Sequence, residues 1–482
     1  MEAIRPEEVT IRQEAVKTVR HGAIMVPFRA YAMGIQFVTS LALARLLASE
    51  GFGQWGLMMA ISQWGYTFFM SWTGAALTRY GREEFLSSGR MRISFTSRMY
   101  LTAPGILLMI LVASAGSGFL AGVMDAPRYV VALVVLYTLS FALSETVQYI
   151  LPAMGRSDLT SALLAIERTL VFAGILYLHQ AGNANTVTAL VAFMAPSLLL
   201  NLAVMVRIRA VLLPWQLARA HLGTYWKFCK PVLITAPMLG IVGWVDLFVI
   251  RHYMTMGHVG DYFLAYQFFN AFTQLCIIVT TVFNPFTVLI VMRNREDLAD
   301  LLVNRMQWVA FLMASSLCLL MTVLAHFVFA RMGGPNAPLM ENVWLLLVPG
   351  GIATFLAAPI GPIYTAKEES VIPAYVCAGM MIVNVGLDLL LVPRIGPIGA
   401  AIATSVRGIV LYYFFSIMLR KFGIRSRNVV LRIFCALALT LAIRVMAHPA
   451  PILVLGILFG AWSAWEMAKI FRTRKELLSA SS

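Results

Sequence analysis

Fourteen stretches of this chain are apolar enough to cross a lipid bilayer, most of them near the roughly 20 residues that a helix needs to span its hydrocarbon core. They run 22–48, 53–78, 101–123, 129–153, 162–178, 187–206, 231–250, 262–291, 308–330, 342–366, 372–392, 398–419, 433–447 and 452–470. The weakest is 433–447, which is short and contains Arg444. In hydrocarbon each backbone N–H and C=O has to be satisfied inside the protein, so uninterrupted runs of this length read as helices. The expectation is an all-α polytopic membrane protein with about 14 transmembrane helices. Composition agrees, since 60% of the 482 residues are hydrophobic, against about 45 to 50% in soluble domains.

Lysine and arginine set the orientation. Of the 37, 28 fall on the side that carries both termini and the loops 79–98, 207–230, 293–305 and 420–432. Only Arg128, Arg251, Arg331 and Arg394 lie on the other side, and Arg29, Arg45, Arg168, Arg407 and Arg444 fall inside spans. Both termini are therefore expected in the cytoplasm. The net charge of +15 reads as a set of anchors facing anionic membrane lipids, and no nucleic-acid partner is expected. The first twenty residues mix Glu2, Glu7, Glu8 and Glu14 with Arg5, Arg12, Lys17 and Arg20 around no short apolar core. That pattern predicts a surface-lying helix and no cleaved signal.

Chemistry outside the bundle has little room. The outer loops are short, and the seven histidines (His21, His179, His221, His252, His258, His326 and His448) sit near span ends without the spacing of a base and its nucleophile. Cys229, Cys276, Cys318, Cys377 and Cys435 have neither metal nor redox spacing and read as packing residues. An enzyme is not expected.

The ionisable residues within the spans carry the functional argument. A carboxylate in hydrocarbon costs about 2.5 to 3.5 kcal/mol on the most lenient scale, so it persists only with a partner or a task. Asn384 and Asp388 share one helix face by their i, i+4 spacing, and Thr404 follows a Pro-Gly turn. Arginine suits a phosphate-bearing cargo because its planar fork binds phosphate bidentately and stays charged when desolvated. Arg29, two residues after Pro27 and about 10 Å inside its span, is the first candidate, followed by Arg407 and Arg168. Each also reads as half of a buried ion pair, Arg168 with Glu145 and Arg407 with Asp388. Gln267, Asn270 and Gln274 recur on one face of the eighth span, either lining a cavity for sugar hydroxyls or bonding neighbouring helices. The aromatic second span (Trp55, Trp64, Tyr66, Phe68, Phe69 and Trp72) reads as interface belt and packing.

A short internal repeat supports two related halves. Arg45 and Arg251 each stand six residues before a glycine, Gly51 and Gly257, an offset of 206, and the endings Gly53-Gln54-Trp55 and Gly260-Asp261-Tyr262 recur at an offset of 207. Six spans lie between the copies, so the halves have the same orientation, related by an axis along the membrane normal. The layout is then 1–21 as a cytoplasmic N-terminal segment, 22–206 as a first lobe, 207–230 as a basic linker, 231–419 as a second lobe, 420–470 as an added span pair and 471–482 as a cytoplasmic tail.

The hairpin ALARLLASEGFGQWGLMMAI and the later PRIGPIGAAIATS resemble the polysaccharide flippases of the multidrug, oligosaccharidyl-lipid and polysaccharide exporter superfamily, the Wzx-like O-antigen and exopolysaccharide exporters in particular. That resemblance implies two six-helix lobes in a V-shaped arrangement plus two extra C-terminal helices. It also implies alternating access and translocation of an undecaprenyl-diphosphate-linked oligosaccharide across the bacterial inner membrane. Partners would be the lipid-linked oligosaccharide itself and a polysaccharide polymerase or glycosyltransferases. The related lipid II flippases hold Na+ as a coupling ion with an Asp in span seven, Asn-x3-Asp in span eleven, a Thr sixteen residues later and a backbone carbonyl. The matching positions here are Asp246, Asn384, Asp388, Thr404 and Ala400.

Depth along the helices is compatible with that set. Asp246 and Asp388 lie about 7 to 8 Å inside the outer ends of their spans and Thr404 about 10 Å inside its own, and oxygen-only ligands suit a hard cation. The alternatives are structural pairs, Asp388 with Arg407 and Asp246 with Arg251, or a proton-coupled carboxylate. At the level of function the rivals are a drug or small-molecule antiporter of the same superfamily and a polytopic glycan polymerase or ligase. The glycan itself is not legible in the residues.

Overall fold

The structure is a computed structural model that describes the backbone of residues 6–292, 296–367, 371–446 and 448–479. Side chains are described from Met25 onward, except 276–302, 362, 365–366, 368–371, 447 and 470–482. Cys276 and the charges of the first twenty residues lie outside the described side chains.

The first helices are α1 (Pro6–Phe69), α2 (Gly74–Ser88), α3 (Arg92–Ala115), α4 (Ser117–Met124) and α5 (Tyr129–Ala153). They are followed by α6 (Ser157–Gln180), α7 (Thr186–Arg207), α8 (Arg209–Leu212) and α9 (Arg219–Tyr253). Then come α10 (Met256–Met292), α11 (Glu296–Met332), α12 (Ala337–Ala357) and α13 (Gly361–Ala366). The chain closes with α14 (Val371–Ile395), α15 (Pro397–Met418), α16 (Val429–Val445) and α17 (Pro449–Ser479). Among the described residues, eleven helical stretches are long and apolar enough to cross a membrane.

One of them, Met25–Phe69, has 45 residues, more than twice a single crossing. It is broken at Ala48, which leaves the helical region at φ 54° and ψ −179°. A non-glycine residue at positive φ and extended ψ costs roughly 1 to 3 kcal/mol, and here it separates the first two apolar stretches. The second half of α10 lies outside the described side chains, and α16, at 17 residues, falls just short of a span. Both arms of α1, these two helices and the remaining long ones account for the apolar stretches read from the sequence. The protein is all-helical and polytopic.

Two compact units divide the chain, Met1–Leu47 with Gln54–Gly240 and Ala48–Gly53 with Ile241–Ser482. The basic stretch 207–230 is not an extended linker. It holds α8 and the first turns of α9, and the units part at Gly240, inside α9. A helix satisfies its own backbone groups wherever it meets the membrane, so the span simply starts early. Residues 420–470 group with the second unit, where Ser316 Oγ on α11 donates to the Gly456 carbonyl of α17 at 2.7 Å.

Two arginines that sequence reading assigns to loops are core residues. Arg98 on α3 is 2% exposed, donates to Thr146 Oγ1 at 3.0 Å and lies over the Tyr149 ring at 5.1 Å. Arg432 on α16 is fully buried, bonded to Gln307 Oε1, to Tyr412 Oη at 3.0 Å and to the Asn304 carbonyl at 3.3 Å, with its guanidinium 5.3 Å from the Trp308 ring centre. Neutral acceptors and ring faces meet both guanidinium groups, and Glu145 adds an attraction to Arg98. Arg432 thereby ties α16 to α11 and α15.

In the second unit the two glycines of the sequence repeat meet. A Cβ built on Gly260 would stand 1.8 Å from the Ser49 carbonyl oxygen, and one on Gly53 would stand 2.4 Å from the Met256 carbonyl oxygen. Only glycine allows this approach. Around it Ser49 Oγ donates to Asp261 and, at 3.2 Å, to the Gly257 carbonyl, while Asn336 Nδ2 donates to Asp261 Oδ2 at 2.8 Å. Gly260→Ala is expected to cost about 1 to 3 kcal/mol, the usual penalty of overpacking. The midpoint of thermal unfolding of the purified protein measures it, and an unchanged midpoint would mean that this junction is looser than described.

Candidate functional site

Two helical hairpins of the second unit carry polar residues to one buried spot. Gly396, at φ 64°, turns α14 into α15, and Pro397 opens α15 at a position where its missing N–H has no cost. Asp388 and Thr404 are each eight residues from Gly396, so they reach the same depth. Gly399 holds the arms together, since a Cβ there would lie 2.7 Å from the Leu391 backbone carbon. In the hairpin of α9 and α10, Asp246 lies seven residues before the end of α9 and Tyr262 six after the start of α10.

The resulting network is closed to solvent. Asn384, Asp388 and Thr404 are fully buried and Asp246 is 4% exposed. The Asn384 amide donates through Nδ2 to Asp246 Oδ1 at 3.0 Å and to Asp388 Oδ2 at 2.7 Å. Thr404 Oγ1 donates to Asp246 Oδ2 at 2.5 Å, and the Tyr262 hydroxyl donates to the same oxygen. Arg407 donates through Nη1 to Asn384 Oδ1 at 3.1 Å and to the Val242 carbonyl. Ala400, whose carbonyl the resemblance implicates, is fully buried on α15, one helical turn before Thr404.

These contacts decide between two of the readings made from the sequence. Arg407 forms no ion pair with Asp388; its partners are the amide oxygen of Asn384 and a backbone carbonyl. Asp388 Oδ1 is buried without a hydrogen-bond partner among the described residues. Two carboxylates joined through one amide nitrogen therefore sit side by side, with Arg407 near Asp388 but not bonded to it. Like charges this close in a buried site repel each other, a repulsion that a shared proton or a bound cation removes. The donor set of two carboxylates, an amide and a hydroxyl is all oxygen when the amide presents its carbonyl, and it suits a hard ion. Among the described residues no cluster of three or more His, Cys, Asp or Glu is arranged to hold a metal.

The remaining candidates are distributed over both units. Arg29 is half-buried in the first unit and makes no hydrogen bond or ion pair among the described residues. Arg168 is half-buried in the same unit and is not paired with Glu145; its Nε is buried without a partner. The helices bearing these arginines touch nearby, where Tyr31 Oη and Thr169 Oγ1 are 3.1 Å apart. Gln267 and Asn270 are half-buried and Gln274 is exposed on α10, with no side-chain hydrogen bond among the described residues. Arg45 and Arg444 are exposed near helix ends.

Two polar residues escaped the sequence reading. Tyr262 stood there only as a repeat marker, although the repeat itself was the signal that could have found it. Glu167, 5% exposed on α6, accepts from Ser144 Oγ at 3.1 Å and Asn201 Nδ2 at 3.0 Å. An acid so placed among hydroxyl and amide donors on two other helices has no local signature.

No protein-family model matches the chain, and no curated protein matches it in sequence. Solved structures do match in fold. A lipid II flippase, MurJ, in an inward closed conformation superposes with a TM-score of 0.71 at 14% identity, over 94% of this chain and 99% of that one. A MATE transporter in the straight conformation gives a TM-score of 0.60 at 13% identity over 84% and 96%. The Vibrio cholerae MATE transporter VcmN in the bent form gives 0.54 at 13% over 84% and 97%. The fold is the one these transporters share.

Replacing Asn384 by leucine removes the donor shared by Asp246 and Asp388 and the acceptor of Arg407. Each buried polar group left without a partner costs about 1 to 3 kcal/mol, so Asn384→Leu is expected to lower the unfolding midpoint well below that of a lipid-facing control such as Ile382→Leu. Equal midpoints would show that the network contributes nothing to stability.

Proposed function

We propose that this protein is an alternating-access flippase that carries an undecaprenyl-diphosphate-linked oligosaccharide across the bacterial inner membrane, for cell-surface polysaccharide synthesis, with Na+ as the coupling ion. The observation that carries the reading is the buried oxygen cluster of Asp246, Asn384, Asp388 and Thr404 on a fold shared with transporters. A buried acid pair with an unpartnered oxygen is costly to keep, and an ion that binds one conformation better than another turns that cost into a bias between states. Asp246 and Asp388 would supply the charge, Thr404 Oγ1, Asn384 Oδ1 and the Ala400 carbonyl the neutral ligands.

On the cargo side, Arg29, Arg168 and Arg407 would meet the diphosphate, and Gln267, Asn270 and Gln274 the sugar hydroxyls. The freedom of Arg29 from any bonded partner among the described residues supports that role. Both termini would lie in the cytoplasm, beside the glycosyltransferases that build the oligosaccharide, and a polymerase would receive it outside. The lipid II flippase structure accounts for 94% of this chain and the MATE structures for 84%, which favours a lipid-linked cargo over a soluble drug. Efflux of a cationic dye by cells expressing the protein is the measurement that would reverse this preference.

Sodium is expected to raise the unfolding midpoint of the purified protein relative to potassium, and Asp388→Ala to remove that difference. Identical melting in both salts for both proteins would leave no cation site. In cells, Arg29→Ala is expected to stop surface display of the glycan while the protein accumulates normally in the membrane. Full display by that variant would assign Arg29 to structure.

A further inference from the structure

The amide of Asn384 has its orientation forced by its neighbours. Asp246 Oδ1 and Asp388 Oδ2 are carboxylate oxygens, which accept, so the group between them is the NH2. Arg407 Nη1 only donates, so the group facing it is the carbonyl Oδ1. In this arrangement the amide holds the two carboxylates together and holds the arginine in place, but it has no oxygen to offer an ion seated between Asp246 and Asp388.

We infer that Asn384 is a two-position coupler that makes a cation at Asp246 and Asp388 and the docked state of Arg407 mutually exclusive. This rests on the cation reading above and adds what the site does to the rest of the unit. For Asn384 to present Oδ1 to a cation, the amide has to rotate by about half a turn, because nitrogen and oxygen occupy opposite arms of the same planar group. Rotation aims the NH2 at the guanidinium. Two donors then face each other with no acceptor between them, and Arg407 loses its bond to the amide, keeping the Val242 carbonyl and the Tyr266 hydroxyl. The arginine is half-buried, not enclosed, so its fork has room to leave. Ion binding at the carboxylates thus frees an anion-binding side chain on α15, three residues from the ligand Thr404. By linkage, an anion that captures Arg407 strengthens ion binding by the same factor. Arg407 is in this sense a positioning residue for the ion site as well as a cargo ligand.

The test compares sodium affinity, measured by titrating the unfolding midpoint of the full chain, for the wild type, Arg407→Leu and Arg407→Lys. If docking through the amide opposes sodium, both variants bind it about tenfold more tightly, the equivalent of one charge-assisted hydrogen bond. Lysine keeps the positive charge but not the fork, so Arg407→Lys at wild-type affinity, or both variants at wild-type affinity, would overturn the coupler. No sodium response in the wild type would instead remove the cation reading and the coupler with it. A second measurement needs no variant: phenylglyoxal labelling of Arg407 in the wild type, read by peptide mass spectrometry, should rise several-fold in sodium over potassium. Labelling that ignores sodium in a protein that binds it also overturns the inference.

Discussion

Asp246 and Asp388 are held beside each other by the single amide nitrogen of Asn384, buried among the helices of the second unit. That arrangement costs free energy unless the charges are shared with a proton, a cation or a dense set of donors. With Asp246 on α9, the unit supplies donors from three more helices, α10, α14 and α15, and still leaves Asp388 Oδ1 without one. Everything specific about this protein's second unit follows from where those four helices must stand to make the site.

Small residues decide that placement. Gly396 and Gly399 fix the α14–α15 hairpin, and Gly350 on α12 meets Gly408 on α15 so closely that a Cβ on Gly408 would lie 2.3 Å from the Gly350 carbonyl oxygen. Between apolar helices in lipid, close backbone approach and dispersion replace the hydrophobic effect as the source of affinity. The same rule governs the junction of Gly53 with Gly260. Polar groups then act at the points that glycine makes accessible, as where the Gly350 N–H donates to Ser405 Oγ at 3.2 Å.

The two units treat buried charge differently. In the first, Arg98 and Glu167 are met by hydroxyls, an amide and a ring. In the second, the acids are left adjacent and the nearest arginine is engaged by neutral oxygens. An arrangement in which opposite charges lie near but unpaired keeps more than one configuration close in energy, which is what a coupled transporter needs from its core.

The positions of the apolar stretches, the asymmetry of lysine and arginine, and the i, i+4 pair Asn384–Asp388 are properties of residues close in the chain, so the sequence by itself determined the helical membrane class, the rough placement of the helices and one half of the candidate site. Its errors have two causes. Arg98 and Arg432 read as loop anchors because hydropathy averages over a window and cannot tell which face of a helix end turns inward. Arg407 read as a partner of Asp388 because opposite charges near each other in sequence pair most simply. Only the tertiary structure decided that α9 and α10 bring Asp246 and Tyr262 against α14 and α15, and that Asn384 stands between the acids and the arginine. A hydrogen bond is selected by distance and angle between helices, and nothing local to either helix encodes the angle at which they cross.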